Sequence, residues 1–217
     1  MIYILGDSFV DNKENYEHAF FNQVISNFNE ISYNLAKKGT GPHYTMDKFA
    51  ELCEMRGFDK LNEQKFIIFL SDPARENETS IHSDIEVNLK YIMYLKGLSS
   101  FVMPDAKFFI NNSITFLEYD LSELNDNHFY YFRIPFGNIS LNEFKDVKYM
   151  DVETDLNRFT YPNGEIKFVE DKRPNHLSKV NHDIIANIIT EFFKNGKHLE
   201  IDVKYDFLTE KSEFIYE

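Results

Sequence analysis

The chain alternates short apolar runs with longer segments in which apolar residues return every three or four positions. Met1-Ile2-Tyr3-Ile4-Leu5 has strand length and ends abruptly in Gly6-Asp7-Ser8, after which polar residues are expected to loosen the chain. Tyr16, Phe20, Phe21, Val24, Ile25 and Phe28 then recur at helical spacing up to Asn29. Residues 31–35 predict a second short strand, and Gly39-Thr40-Gly41-Pro42 forbids regular structure after it. Met46, Phe49, Ala50, Leu52 and Cys53 mark a helix over 44–57 that closes at Gly57. The unbroken run Phe66-Ile67-Ile68-Phe69-Leu70 suits a strand covered on both faces, and it stops at Ser71-Asp72-Pro73. Ile85, Leu89, Ile92, Met93 and Leu95 predict a helix over 84–98, capped by Ser83 or Asp84. Residues 106–110 and 129–134 read as further strands, and Ile184, Ile185, Ile188, Ile189, Phe192 and Phe193 define a last helix over 177–194.

This order predicts an α/β fold: a three-layer, mostly parallel, flavodoxin-like sheet with helices on both faces and its sites beyond the carboxyl ends of the strands. Two segments fall outside the alternation. Within 147–169, Asn163-Gly164 is a hairpin signal, and from Leu199 to Phe207 apolar and charged residues alternate strictly. The expected organisation is an α/β domain over 1–196 with a β-hairpin inserted at about 147–169, followed by a C-terminal β-hairpin extension over 197–217. The apolar face of this small antiparallel accessory element needs cover from the main body or from a second subunit, so homo-oligomerisation through these strands is one expectation.

Composition narrows the function classes. The 217 residues are 43% hydrophobic, enough for an ordinary core, and carry a net charge of −13 without any Lys/Arg run. Such a chain is repelled by nucleic-acid backbones and by anionic lipid, so neither nucleic acid nor a membrane is an expected partner. The single cysteine, Cys53, excludes an intramolecular disulfide and reads as a buried apolar filler. No run approaches the length of a membrane span and no basic leader precedes the first strand, which points to a cytoplasmic protein. Neither a P-loop nor GxGxxG is present, so no nucleotide cofactor is expected. His18, His43, His82, His128, His182 and His198 are scattered without ligand-like pairing; His43 alone falls in the loop that should border the strand ends.

Candidate chemistry gathers at those ends. One strand closes in Gly6-Asp7-Ser8, the second leads from Asn34 to Gly39, the third reaches Asp72, and Asp171-Lys172-Arg173-Pro174-Asn175-His176 precedes the last helix. A serine in a strand-to-helix turn is commonly no more than a cap or turn residue. Asp7 is expected to brace that turn by hydrogen bonds.

With these blocks in this order, the sequence resembles the SGNH (GDSL-like) hydrolases, a family of serine esterases and acylhydrolases. The resemblance rests on Gly6-Asp7-Ser8, on Asn34 through Gly39, and on Asp171 to His176 followed by Leu177-Ser178 and a helix; it covers roughly residues 1–196. It implies Ser8 as nucleophile, His176 as general base and Asp171 as the carboxylate that orients His176. It also implies an oxyanion hole from the backbone N–H groups of Ser8 and Gly39, with Gly41 as the fallback. No cofactor or metal is implied, and the substrate would be an ester on a carbohydrate or a small molecule. These roles agree with chemical need, because a serine hydroxyl attacks at neutral pH only with an imidazole beside it, and the imidazole needs a partner that sets its tautomer.

Two positions depart from the family pattern. Arg173 stands three residues before His176, where the family has its carboxylate, so Asp171 or Glu170 would have to serve, or a dyad act without one. The family's Gly-x-Asn-Asp is here Leu70-Ser71-Asp72-Pro73, which puts Asp72 where an asparagine would donate to the oxyanion. An ionised carboxylate about 3 Å from a developing negative charge would cost about 5 kcal/mol at an effective dielectric near 20. Deleting the donor altogether costs about 3 to 4 kcal/mol. The site works only with Asp72 protonated, turned away or neutralised, and Arg75, three residues on, is the expected neutralising partner. Two readings follow: an esterase working through acyl-Ser8, or a binding or structural protein that keeps the fold with weak or lost catalysis. An unrelated flavodoxin-like domain is disfavoured by the missing phosphate loop.

Overall fold

A computed structural model of the chain describes residues 1–11, 19–71, 73, 85–112, 121–132, 148–149, 159–160 and 179–199. Five strands, β1 (Ile2–Leu5), β2 (Ser32–Asn34), β3 (Lys65–Leu70), β4 (Lys107–Asn112) and β5 (Phe129–Phe132), form one sheet in the order β2-β1-β3-β4-β5. Every pairing in it is parallel. The helices are α1 (Phe20–Phe28), α2 (Pro42–Arg56), the single turn α3 (Phe58–Leu61), α4 (Ile85–Phe101) and α5 (Lys179–Asn195). This is the flavodoxin-like α/β sheet that the alternation predicts.

The strand order dictates the layers. The chain steps from β1 outward to β2 and then reverses to β3, and right-handed crossovers in opposite directions must pass over opposite faces. Accordingly α1 and α5 cover one face, packing on Ile2, Ile4, Ile67, Phe69, Phe109, Tyr130 and Phe132. Helices α2 and α4 cover the other, packing on Tyr3, Leu5, Phe66, Ile68, Leu70, Phe108 and Ile110. Successive residues of β1, β3, β4 and β5 thus serve opposite cores, which is why these strands read largely as continuous apolar runs.

On the α2/α4 face each strand contributes one ring in register. Tyr33, Tyr3, Phe66, Phe108 and Phe129 are paired neighbours across the sheet. Their centroids are 5.5, 5.5, 4.7 and 6.5 Å apart in turn. Ion pairs collect at the same amino edge: Lys65 at the start of β3 pairs with Glu30, and Lys96 with Asp126 just before β5.

Helix α2 starts at Pro42 rather than 44, within the stretch expected to forbid regular structure, because proline is pre-set for the first turn of a helix. Three further differences from the sequence expectation also have local reasons. Helix α4 runs on to Phe101 because nothing breaks it before Pro104, and the N–H groups of Val102 and Met103 both return to the Leu98 carbonyl. Strand β4 continues through Asn111 and Asn112, poor strand formers whose burial is compensated at Asn112 by a bond from Asn88. From Asp7 to Asp11 the chain is not loose: the Val10 and Asp11 N–H groups donate to the Asp7 carbonyl, so these residues form one tight turn, while residues 12–18 lie outside the described residues.

Packing of the main body continues through Leu199, with His198 stacked on Tyr130 at 4.3 Å and the Tyr130 hydroxyl donating to the Leu199 carbonyl. Lys148–Tyr149 and Phe159–Thr160 pair antiparallel as β6 and β7. The Asn163-Gly164 turn and the hairpin expected after residue 199 lie outside the described residues. Among the described residues no helix is long and apolar enough to cross a membrane.

Candidate functional site

Strand β1 lies inside the sheet between β2 and β3, where the connection reverses direction. In open α/β sheets that reversal leaves a crevice beyond the strands' carboxyl ends, and it is there that ligands bind. The first residues past β1 are Gly6, Asp7 and Ser8.

Gly6 is required twice over. Its φ of +151° is one that side chains rarely adopt, and a Cβ there would stand 2.6 Å from Val10 Cγ2 and 2.8 Å from Phe69 Cβ. The glycine lets the turn fold back against β3. Asp7 is buried, and its Oδ1 accepts the Phe9 N–H at 3.0 Å while its carbonyl closes the turn. A short acidic side chain bonding two residues ahead is the usual way such turns are stapled. Ser8 sits on this turn half-buried, the more exposed neighbour of the buried Asp7.

The loop after β2 is tied to this turn at several points. Leu35 N–H donates to the Ile4 carbonyl and Lys37 N–H to that of Gly6. Asn34 donates from Nδ2 to the Val10 carbonyl at 2.6 Å and accepts the Ala36 N–H at 3.0 Å. The buried Asp11 carboxylate accepts the Lys38 N–H at 2.9 Å. Gly39 therefore follows directly on a segment held against the Ser8 turn. Its φ of +75° calls for glycine, and the side where a Cβ would project is open space. Gly41, by contrast, caps α2 with φ −92° and ψ −176°, a backbone other residues can adopt.

The end of β3 joins the same edge. Ser71 is buried and its hydroxyl donates to the Thr40 carbonyl at 2.9 Å. Asn88 of α4, fully buried, donates from Nδ2 to the Ser71 carbonyl at 2.9 Å and to Asn112 Oδ1 at 2.8 Å. Asn88 and Asn112 carry no weight in the sequence reading. The available signal is that Asn88 falls on the stripe of Ile92 and Leu95, a polar group on a buried helical face. His43 opens α2 beside this loop, exposed, its Nδ1 bonded to the Tyr91 hydroxyl.

Helix α5 starts at this edge too. Its His182 Nδ1 accepts the Phe20 N–H at the start of α1, and its Thr190 hydroxyl accepts from Asn27 near the end of α1, so the two helices run parallel. The α5 terminus reaches the opposite edge, where the Phe193 carbonyl accepts from Lys107 at the start of β4. His182 is thus a core residue that caps α1.

Of the residues singled out in the sequence, Ser8, Asp7, Asn34 and Gly39 come together on this one edge. Asp72, Arg75, Glu170, Asp171 and His176 lie outside the described residues. Among the described residues no group of three His, Cys, Asp or Glu is arranged to hold a metal ion. Cys53 is remote from the edge, in the α2/α4 core, where burial pushes its thiol up to about 11.

Fold and edge together define a flavodoxin-like α/β protein with a serine-bearing turn at its topological switch point. Compared with protein-family models and with curated proteins, the sequence matches none.

Proposed function

We propose that the chain is a serine esterase or acylhydrolase of the SGNH type. The Ser8 hydroxyl attacks the ester carbonyl while His176 takes its proton, and Asp171 orients the imidazole. His176 then returns the proton to the leaving alcohol, and water delivered by the same base releases the acid from acyl-Ser8. Backbone N–H groups of Ser8 and Gly39 receive the oxyanion. The substrate is an ester on a carbohydrate or small molecule, and the lone buried cysteine suits a reducing compartment such as the cytoplasm.

One observation carries this reading: the Ser8 turn and the Gly39 segment are bonded to each other at the sheet's switch point, through Gly6, Val10 and Asp11. A further support is chain length. Lys179 opens α5 at the edge that carries Ser8, and His176 is three residues upstream, a span of at most about 11 Å.

The test is labelling by a fluorophosphonate probe together with turnover of p-nitrophenyl acetate. Both are expected in the wild type and in neither Ser8→Ala nor His176→Ala. A wild type that neither labels nor turns over overturns the enzyme. That outcome favours the second reading, a binding or structural protein on the same fold, for which Asp72 in place of a donor asparagine is the supporting observation.

A further inference from the structure

Four elements meet at the candidate edge through one line of side-chain bonds. Asn112 at the end of β4 accepts from Asn88 of α4, Asn88 also donates to the Ser71 carbonyl at the end of β3, and the Ser71 hydroxyl donates to the Thr40 carbonyl beside Gly39. The three side chains in this line are 5% exposed or less. A carboxamide held at full burial with both amino hydrogens donated is rigid, since each lost bond would leave a buried acceptor unsatisfied.

The placement of the line matters more than its stability. The Ser71 hydroxyl ties the end of β3 to the Gly39 loop, and β3 is the strand against which the Ser8 turn folds at Gly6. The Thr40 carbonyl belongs to the residue that follows Gly39. Asn88 thus grips, through Ser71, the loop that carries the Gly39 donor of an SGNH-type site, although it lies on a helix that supplies no reacting group.

We propose that Asn88 is a positioning residue of this site, holding the Gly39 loop against the end of β3 so that the Gly39 and Ser8 N–H groups converge on one oxygen. The proposal rests on the hydrolase reading. It assigns Ser71 the role of intermediary and Asn112 that of the fixed anchor. A misplacement of donors by about 1 Å is enough to slow a reaction about a hundredfold.

The experiment compares wild type with Asn88→Ala and, because that change empties a fully buried site, with Ser71→Ala, which removes only the bond to Thr40. Active sites are first titrated with the fluorophosphonate probe, and kcat and KM for p-nitrophenyl acetate are then expressed per titrated site. Both variants are expected to lose about ten- to a hundredfold in kcat per site, with KM within about twofold. A role in folding alone would lower the number of titratable sites and leave kcat per site unchanged; that result overturns the proposal while leaving the hydrolase intact. A wild type that neither labels nor turns over overturns the hydrolase reading, and this proposal with it.

Discussion

Asn34 closes β2 by donating its amide to the carbonyl of Val10, a residue 24 positions earlier, at 2.6 Å. With its Oδ1 it also accepts the Ala36 N–H, so one side chain joins the Ser8 turn to the start of the Gly39 loop. Asn34→Ala leaves a backbone donor and an acceptor without those partners and is expected to destabilise the fold by about 1 to 3 kcal/mol. It should also slow fluorophosphonate labelling of Ser8. Urea denaturation and labelling rate are the measurements, and a variant as stable as wild type would show that Asn34 is not the tie.

The two glycines of the site should respond differently to alanine. At Gly6 both φ and the contacts with Val10 and Phe69 forbid a Cβ, and Gly6→Ala is expected to cost at least about 3 kcal/mol. Gly39 has room for a methyl group and carries only the backbone penalty, about 1 to 2 kcal/mol. Thermal denaturation of both variants checks the order, and equal losses would contradict it.

On the proposed hydrolase reading, Asp72→Asn is expected to raise kcat for p-nitrophenyl acetate by about tenfold or more, because it puts a donor where the sequence has a carboxylate. Unchanged or lower turnover would assign Asp72 a native task of its own.

Acid should act first at the amino edge. Burial alone would raise the Glu30 carboxyl, but the Lys65 ammonium and the Met1 amino group hold it below its ordinary 4.5. Burial of Asp126 is likewise outweighed, by Lys96 and by the N–H groups of His128 and Phe129, so its carboxyl falls below 3.8. A carboxyl with a depressed folded value stabilises fully above its unfolded value, and that contribution disappears as pH falls through the folded one. Glu30→Gln should therefore flatten the fall of stability below about pH 4.5, read from urea midpoints between pH 7 and 3. A slope identical to that of wild type would remove Glu30 from the account.

Cys53 should be nearly inert. With its thiol pushed up to about 11, on the order of one molecule in several thousand carries a thiolate at pH 7.4. Reaction with a disulfide reagent is expected to be slow in buffer and fast in denaturant, and rapid native-state labelling would refute the burial argument.

The sheet was readable from sequence because strands serving two cores at once leave continuous apolar runs such as Phe66 to Leu70, and helices with one buried stripe leave a 3.6-residue period. Asp7's bracing of its turn follows from a local rule about short acidic side chains. The line through Asn88, Ser71 and Asn112 was not readable, because it joins residues far apart in sequence whose pairing exists only once α4 lies across β3 and β4. The bond from Asp11 to Lys38 was hidden for the same reason. The tightness of residues 7–11 escaped because the polar composition of the segment masks backbone bonds that any sequence can make.

The row of rings from Tyr33 to Phe129 crosses the strands at their amino halves, away from the serine-bearing turn. Slipping any strand by one residue would swing its ring to the opposite face, so the row works as an alignment key cut across the sheet. The strand tips at the far end are thereby relieved of fixing the sheet's alignment. An exposed tip residue such as Ser8 can then be rewritten to accept different chemistry, with the strands still finding their places.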